Sequence, residues 1–515
     1  MSRIPFLFSI LVAIFAATPS FAQGSRLRPG DFDVLPLSPE ALQGDHLVPA
    51  ANEDGHVLVV WESTRADTGQ FQIEGTLLYR RDLGGKVEFQ HQGNIVLGDP
   101  TFNFWRTSSW YLSSPDAIDD CMKPTVSAVG KNFVVSWTRR NRSRGLHPYV
   151  VEQVLVVPPD PANGIHEGGV VRPEPRRGFF LWDPSRPTRR FIGGDSGMNV
   201  ATTWVQAGPG GPKDRVALVH VSQTREDPRP HSVLNEFDVF GWHIDWSGWW
   251  EADFRPQVEQ FRNAATGRMA LVEDVRGDEV GEYELGGRMP LYLVESKTGA
   301  LVLAHEVMES ADRKELNQDA GRIVLRSFVP GAYPADLIPV SSQRLVSLND
   351  SRAYHRRPNI STDPDHPLSI HVVSWIEVDP RKNNQGFHPS GGAFARFDVD
   401  SQGKIVRVGQ DHNFSNPSNQ VADARGLLEL DRQPPLALAL GVNNAASDGF
   451  EIFAWNGATR QLNSQYVPDP GLIQAYTPRR PLAVRSKSDV TLVVFDARLQ
   501  PRGNNQLPIV YIRAE

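Results

Sequence analysis

The stretch "SRAYHRRP" sets Tyr354, His355, Arg356 and Arg357 side by side. A phenol and an imidazole, each able to take a proton, adjoin guanidinium groups able to neutralise a carboxylate. β-Elimination of an acidic polysaccharide needs that combination. The proton beside a uronate carboxylate is weakly acidic until a cation stabilises the developing enolate, and then a nearby base can remove it. Tyr354, His355 and Arg356 are therefore the catalytic candidates. The string is short and unspecific, and loop packing with surface charge is the plainer account of it.

Cations also recur at a second kind of position. Lys123, Arg288, Arg357, Arg432 and Arg480 each stand within two residues of a proline that opens an alternating apolar run, and His46 occupies a similar place. More basic residues follow the next apolar run. "TRRNRSRGLHPY" carries Arg139, Arg140, Arg142, Arg144 and His147, and Arg225, Arg381, Lys382, Arg498 and Arg502 stand in comparable stretches. In a chain of formal net charge -7, cations gathered on one side would focus a positive potential toward an anionic ligand. Lys123, Arg288, Arg357, Arg432, Arg480, Arg140 and His147 are the ligand-binding candidates on this reading. Repetition also fits scaffolding, with Arg stems laid on neighbouring aromatics, and Glu62, Glu306, Glu309 and Asp496 counter the field.

A long polar and aromatic segment, residues 99–123, adds Trp105, Trp110 and Tyr111, whose flat faces suit sugar rings. Loops of this length inside a domain are uncommon and often functional. Its Asp116, Asp119 and Asp120 leave a divalent cation open; no cofactor is predicted. Other metal signals are weak. Asp398 and Asp400 of "DVDSQGK" fall in a hairpin turn, where Asp and Gly are expected, and His243, His305 and His371 read as core histidines. The chain has no phosphate-cradling Gly loop and no Ser nucleophile elbow. Cys121 has no evident His partner.

The elements that must position these groups repeat. "LVPAANEDGHVLVVWES", "MKPTVSAVGKNFVVSWTRR", "RRPNISTDPDHPLSIHVVSWIEV" and "RRPLAVRSKSDVTLVVFDAR" share a proline, an alternating strand, a polar turn and a β-rich strand. Copies beginning near Met198, Arg288 and Arg432 fit the same frame, at a period of roughly 75 residues. Strand pairs joined by Gly-containing turns follow several copies, as in "TLLYRRDLGGKVEFQ", "AFARFDVDSQGKIVRVG" and "EIFAWNGATRQLN". The stretch "FGWHIDWSGWWEADF" aligns there too. Its Trp242, Ile244 and Trp246 alternate onto one face and read as packing rather than as a sugar platform, and Trp249 and Trp250 cannot both join them.

Seven such units predict an all-β chain folded as a single seven-bladed β-propeller of four-stranded antiparallel blades. "DFDVLPL" would pair with "LPIVYIRAE" to close the ring and remove exposed sheet edges. Six or eight blades, or two β-sandwiches, are the alternatives. The pattern resembles secreted bacterial propellers whose blades carry a Pro-x-Val strand followed by a Val-Val-x-Trp strand. Sialidase-type Asp boxes, Trp-Asp repeat signatures and quinone-docking tryptophan motifs are missing, so the resemblance implies architecture and no specific chemistry. In such propellers the loops before the first strand and between the second and third strands share one face, where ligands usually sit. Several polysaccharide lyases have this architecture.

Residues 1–22 read as a secretory leader, with Arg3 ahead of a short apolar run and a small-x-small site ending at Ala22. Residues 23–515 are then one exported domain, periplasmic or secreted. Cys121 is the single cysteine, so no intrachain disulfide can form and stability must come from the core. The expected partner is an anionic polysaccharide or another anionic ligand. Export disfavours nucleic acid, and no later segment is apolar for long enough to span a bilayer. Three functions remain in view: an anion- or carbohydrate-binding propeller, an acidic-polysaccharide lyase, and a scaffold for envelope protein–protein contacts.

Overall fold

The second strand of each repeat fixes the architecture. Val57–Thr64 (VLVVWEST) is buried almost throughout, so it must be covered on both faces. Its residues part by alternation. Val57, Val59 and Trp61 pack with Leu47, Leu78 and the distant Leu492. Leu58 and Val60 pack on the other side with Val126, Phe133, Val135 and Trp137. One strand thus serves two cores, which a sheet achieves only when flanked by sheets on both sides.

The computed structural model describes residues 32–36, 45–101 (except 66 and 85), 119–141, 149–163, 168–171, 200–204, 215–225, 236–275 (except 252, 253 and 255), 291–308 (except 297), 321–345 (except 334), 353–362, 369–378, 388–414, 420–423, 438–444, 447–456, 461–468, 476–499 (except 488 and 489), 505–506 and 508–513. They form seven sheets, mostly four-stranded and antiparallel. A single 3-10 turn, Pro161–Asn163, is the helical structure among them. No helix among the described residues is long and apolar enough to cross a membrane.

The first sheet runs Asp45–Ala51, Val57–Thr64, Phe71–Leu83 and Lys86–Gly98. The second runs Asp119–Val129, Asn132–Asn141, Tyr149–Val157 and Gly169–Val171. The third holds Val200–Trp204, Arg215–Arg225 and Glu236–Asp245, and its outer strand comes in two pieces, Gln257–Gln260 and Ala270–Val275. The fourth holds Leu291–Glu295, Leu301–Met308, Gly321–Pro330 and Asp336–Leu345. The fifth holds Ala353–Thr362, Ser369–Val378, His388–Val399 and Ile405–Phe414. The sixth holds Gln420–Asp423, Leu438–Asn444, Ser447–Asn456 and Gln461–Pro468. The last joins Tyr476–Ser486, Val490–Leu499 and Pro508–Arg513 to Phe32–Pro36, which pairs antiparallel with Pro508–Arg513 from Phe32 opposite Ile512 to Pro36 opposite Pro508. Each sheet's first strand touches the sheet before it, and the first strand of the first sheet touches the first strand of the last.

Two departures from the repeat frame stand out. Leu438–Asn444, expected to follow Pro434 as a first strand, is the second strand of the sixth sheet and pairs with Gln420–Asp423. The tight hairpin expected at "DWSG" is wider. Glu236–Asp245 leads into a turn through Glu251, and pairing resumes at Gln257. The outer strand then leaves its sheet, and Arg262 and Asn263 pair in parallel with Asp336 and Leu337 of the fourth sheet. Arg262 Nη2 donates to both carboxylate oxygens of Asp336, at 2.7 and 2.9 Å.

The tryptophan stretch is mostly core. Trp242, Ile244 and Trp246 pack against Val129, Val134, Val151 and Leu155 of the second sheet. Trp246 Nε1 crosses the seam to donate to Gln153 Oε1 at 2.8 Å, and Gln153 Nε2 donates to Ser136 Oγ at 2.8 Å. Trp249 is partly buried against the same cluster, whereas Trp250 is 66% exposed. Gly98 serves the neighbouring seam, because a Cβ there would lie 2.9 Å from the Trp137 ring.

Polar bonds lock the seams at the turn end. Arg80 Nη1 donates to the Ser486 carbonyl of the last sheet at 2.8 Å, and Asn52 Nδ2 donates to the Lys131 carbonyl of the second. His56 sits between them, stacked on Tyr79 with centroids 4.0 Å apart, its Nδ1 accepting the Arg80 amide at 3.0 Å. Burial first, and the Lys487 and Arg80 charges after it, push the His56 imidazole below its ordinary value against the opposing pull of Asp54 and Asp160. His243 is lowered as well, by burial and then by Arg215.

Two outcomes follow. Trp246→Ala should cost about 3–5 kcal/mol in chemical unfolding, while Trp250→Ala should stay within about 0.5 kcal/mol; equal losses would refute the packing assignment. Between pH 6.5 and the lowered folded values, the unfolded chain binds more protons at His56 and His243 than the folded chain does. Their contribution to stability is therefore full above that pH and is lost as pH falls through the lowered folded values. His56→Gln should flatten the acid-side slope of melting temperature against pH, and an unchanged slope would count against this account.

Candidate functional site

His46, Lys123, Arg357 and Arg480 share one structural device. In five sheets the first strand carries an extra residue; in the sixth sheet it is Ala422, beside Asp423, and in the other four two positions oppose a single residue of the second strand. His46 and Leu47 oppose Trp61. Lys123 and Pro124 oppose Trp137. Arg357 and Pro358 oppose Ser374. Arg480 and Pro481 oppose Phe495. Proline lacks the N–H that a ladder needs, so a bulge is where a strand tolerates it. The register also corrects the frame read from sequence: Leu47, not Pro49, stands where the other sheets place proline.

Lys123 shows what the bulge does to the backbone. Its φ is 53°, a left-handed value uncommon outside glycine. Its amide donates to Glu62 Oε2 of the first sheet at 3.0 Å, and its side chain is half-buried.

Around Lys123 the seam between the first and second sheets holds a charged network. Arg139, expected in a solvated basic loop, lies within the strand Asn132–Asn141 and is 1% exposed. It donates from Nε to Glu152 Oε1 at 2.7 Å and from Nη2 to Oε2 at 3.1 Å. Trp137 Nε1 donates to the same Oε2 at 2.8 Å. The outer guanidinium nitrogens reach the Pro100 carbonyl at 3.1 Å and the Asp99 carbonyl at 3.0 Å. Asp99 in turn accepts from the Thr101 amide at 2.8 Å and from Arg65 Nη1 at 3.2 Å. Burial raises the Asp99 carboxyl, but the Thr101 bonds and the Arg65 and Arg139 charges hold it below its ordinary value. Asp67 is drawn down to about 2 by its hydrogen bond from Arg65.

The predicted aspartates divide. Asp120 is buried in the strand Asp119–Val129, where its Oδ1 accepts the Phe71 amide at 2.9 Å. Asp400 turns its Oδ1 to the amides of Gln402 and Lys404, both at 2.9 Å, as a turn residue does. No group of three or more His, Cys, Asp or Glu among the described residues is arranged to hold a metal ion. Cys121 is buried.

The remaining candidates separate as follows. Tyr354, His355 and Arg356 are consecutive in the strand Ala353–Thr362, opposite Glu377, Ile376 and Trp375. Arg140 ends its pairing opposite Tyr149, and Arg480 stands in the last sheet's bulge. Trp105, Trp110, Tyr111, His147, Arg288 and Arg432 lie outside the described residues. The sixth sheet's strand order moves Arg432 out of the expected column, because residues 424–437 connect its first strand to its second. The residues that sequence reading missed are Asp99, Glu152 and Arg65. Their one signal was an acid opposite the second-strand tryptophan, visible only once the register is known.

Comparison with known proteins yields no matching family model and no matching curated protein. Among solved structures, the GH93 α-L-arabinofuranosidase of Fusarium graminearum is similar at 11% identity, covering 94% of this chain and 98% of that one, with a TM-score of 0.42. The NanB sialidase of Streptococcus pneumoniae is 11% identical over 93% of this chain and 69% of that one, with a TM-score of 0.41. The intramolecular trans-sialidase of Ruminococcus gnavus is 9% identical over 94% and 96%, with a TM-score of 0.40. Likeness at this distance transfers neither residues nor chemistry.

The backbone at Lys123 gives a direct test. Lys123→Gly should be more stable than Lys123→Ala by about 1 kcal/mol, since both lose the ammonium and only alanine keeps the left-handed penalty. Equal stabilities would mean that the bulge relaxes without strain.

Proposed function

We propose that residues 23–515 form one exported seven-bladed β-propeller, following a leader at 1–22, and that it binds an anionic or carbohydrate ligand at the end where its first strands begin. The recurring bulge carries this reading. It gives His46, Lys123, Arg357 and Arg480 equivalent positions in four sheets, and bulges are the means by which strands re-aim side chains next to sites. The pairing of Phe32–Pro36 with Pro508–Arg513 supports a closed ring. Arg288, Arg140 and His147 extend the proposed basic face, and Trp105, Trp110 and Tyr111 supply aromatic surface for sugar rings. Tyr354, His355 and Arg356 are the residues assigned to proton abstraction, should the bound polysaccharide also be cleaved.

Binding to immobilised alginate and heparin tests the reading. Affinity should fall as salt rises, and Arg357→Ala and Arg480→Ala should each weaken it several-fold. Retention that ignores salt, or no retention on either matrix, would overturn the anionic-ligand assignment. Ultraviolet absorbance from unsaturated chain ends in alginate or polygalacturonate digests, lost in Tyr354→Phe, would establish elimination. Binding without that absorbance would leave a lectin-like protein.

A further inference from the structure

The second-strand tryptophans of the first two sheets stand in the same register but differ in their bonds. Trp137 lies opposite Glu152 of the third strand, and Trp61 lies opposite Glu74. In the second sheet the pair is joined. Trp137 Nε1 donates to Glu152 Oε2 at 2.8 Å, and Arg139, two residues on, donates from Nε to Oε1 at 2.7 Å. In the first sheet Ser63 takes the place of Arg139, opposite Gln72. Gln72 Nε2 donates to Glu74 Oε1. Trp61 Nε1 and Ser63 Oγ are both buried and have no hydrogen-bond partner among the described residues.

Buried polar groups in folded proteins are nearly all paired, and an unpaired one costs its full desolvation. Two on one face of one strand, two residues apart, point to something that pairs them. Directly opposite residues of an antiparallel pair share a face. Gln72 and Glu74 therefore join Trp61 and Ser63 on the face where Trp61 packs with Leu492 of the last sheet. Both are half-buried, which gives the group a side open to solvent. Trp61 opposes the bulge at His46 and Leu47, so all four lie at the bulge end of the first sheet.

The donors and acceptors of the set select its occupant. An indole N–H only donates, and a carboxylate only accepts. An anion would satisfy Trp61 but would stand beside the Glu74 carboxylate. A cation would suit Glu74 and leave the indole unpaired. A hydroxyl both donates and accepts, so neighbouring hydroxyls on one ring satisfy both groups, and Ser63 and Gln72 can act either way.

We propose that Trp61, Ser63, Gln72 and Glu74 form a subsite for the hydroxyls of an uncharged sugar, distinct from the cation column at the same end. The subsite rests on the carbohydrate half of the function proposed above; the anionic half plays no part in it.

The experiment is calorimetric titration of the full chain with D-glucose, D-galactose, D-mannose and D-xylose. At least one should bind, with an affinity that salt leaves unchanged because the ligand carries no charge. Glu74→Gln keeps the shape and removes the carboxylate, and should weaken that binding about ten-fold. Ser63→Ala should weaken it several-fold, and Arg357→Ala should leave it as it was. Without sugar, Ser63→Ala should hold or raise the melting temperature, since it removes a buried hydroxyl that nothing pairs. A clear fall would show that hydroxyl bonded within the protein and would overturn the proposal. No binding of any of the four sugars overturns it too, as does binding that neither Glu74→Gln nor Ser63→Ala weakens. Alginate and heparin retention on the same samples separates the two readings. Salt-sensitive retention without sugar binding keeps the basic face and sinks the subsite; sugar binding without retention does the reverse.

Discussion

A four-stranded sheet with apolar residues on both faces is stable only when both faces are covered. Everything else in this chain follows from that constraint. Val57, Val59 and Trp61 face one neighbour while Leu58 and Val60 face the other, and no single layer could bury both sets. A row of such sheets leaves an uncovered apolar face at each end. Leu492, in the last sheet, packs with Val57, Val59 and Trp61 of the first and so covers that face of the first sheet. The chain can form no internal disulfide, since Cys121 is its one cysteine. These seams therefore carry the stability that small secreted proteins often draw from cross-links.

Apolar packing fixes how close two sheets lie but says little about how they slide past each other. Directional bonds supply that information at the two ends of the seams. Arg80 to Ser486 and Asn52 to Lys131 act at the turn end. Trp246 to Gln153 acts within the seam between the second and third sheets. Arg139 acts at the opposite end, donating to the Pro100 and Asp99 carbonyls that follow the first sheet's last strand. The fourth and fifth sheets repeat the device with different residues, Ser327 donating to the Gly403 carbonyl and Ser341 accepting the Ile405 amide. The positions are shared by the seams; the residue types are not, which is why no fixed polar motif marks them in the sequence.

Legibility in the sequence followed the physics of each feature. Central strands were readable because double burial forces continuous Val, Leu and Trp runs, and hairpins such as the one around Asp400 were readable because turns demand Asp and Gly. Proline proved a weaker marker. It reports a bulge where it sits in a ladder, as at Pro124, but Pro434 precedes a second strand and Pro49 lies beyond the bulge. The split outer strand of the third sheet was invisible, because Arg262 and Asn263 gain a partner in another sheet. Arg139 looked like its neighbours in "TRRNRSRG", and only the register that sets Glu152 beside Trp137 shows it to be internal. Composition reveals that a residue is a cation; pairing decides whether that charge is already spent.

The same distinction governs the cation column. At a bulge two residues share one partner position, so one of them is free of the ladder and of strict face alternation. Proline takes one place in three of these bulges because it offers no N–H, and His46, Lys123, Arg357 and Arg480 stand at the position beside it or, for His46, beside Leu47. The bulge therefore explains why cations are tolerated there without requiring that they bind anything. Nor is the sign uniform: four bulges carry a basic residue or histidine, whereas the sixth sheet's holds Ala422 beside Asp423. The bulge is thus a feature of the repeat, and the residue type at it varies from sheet to sheet.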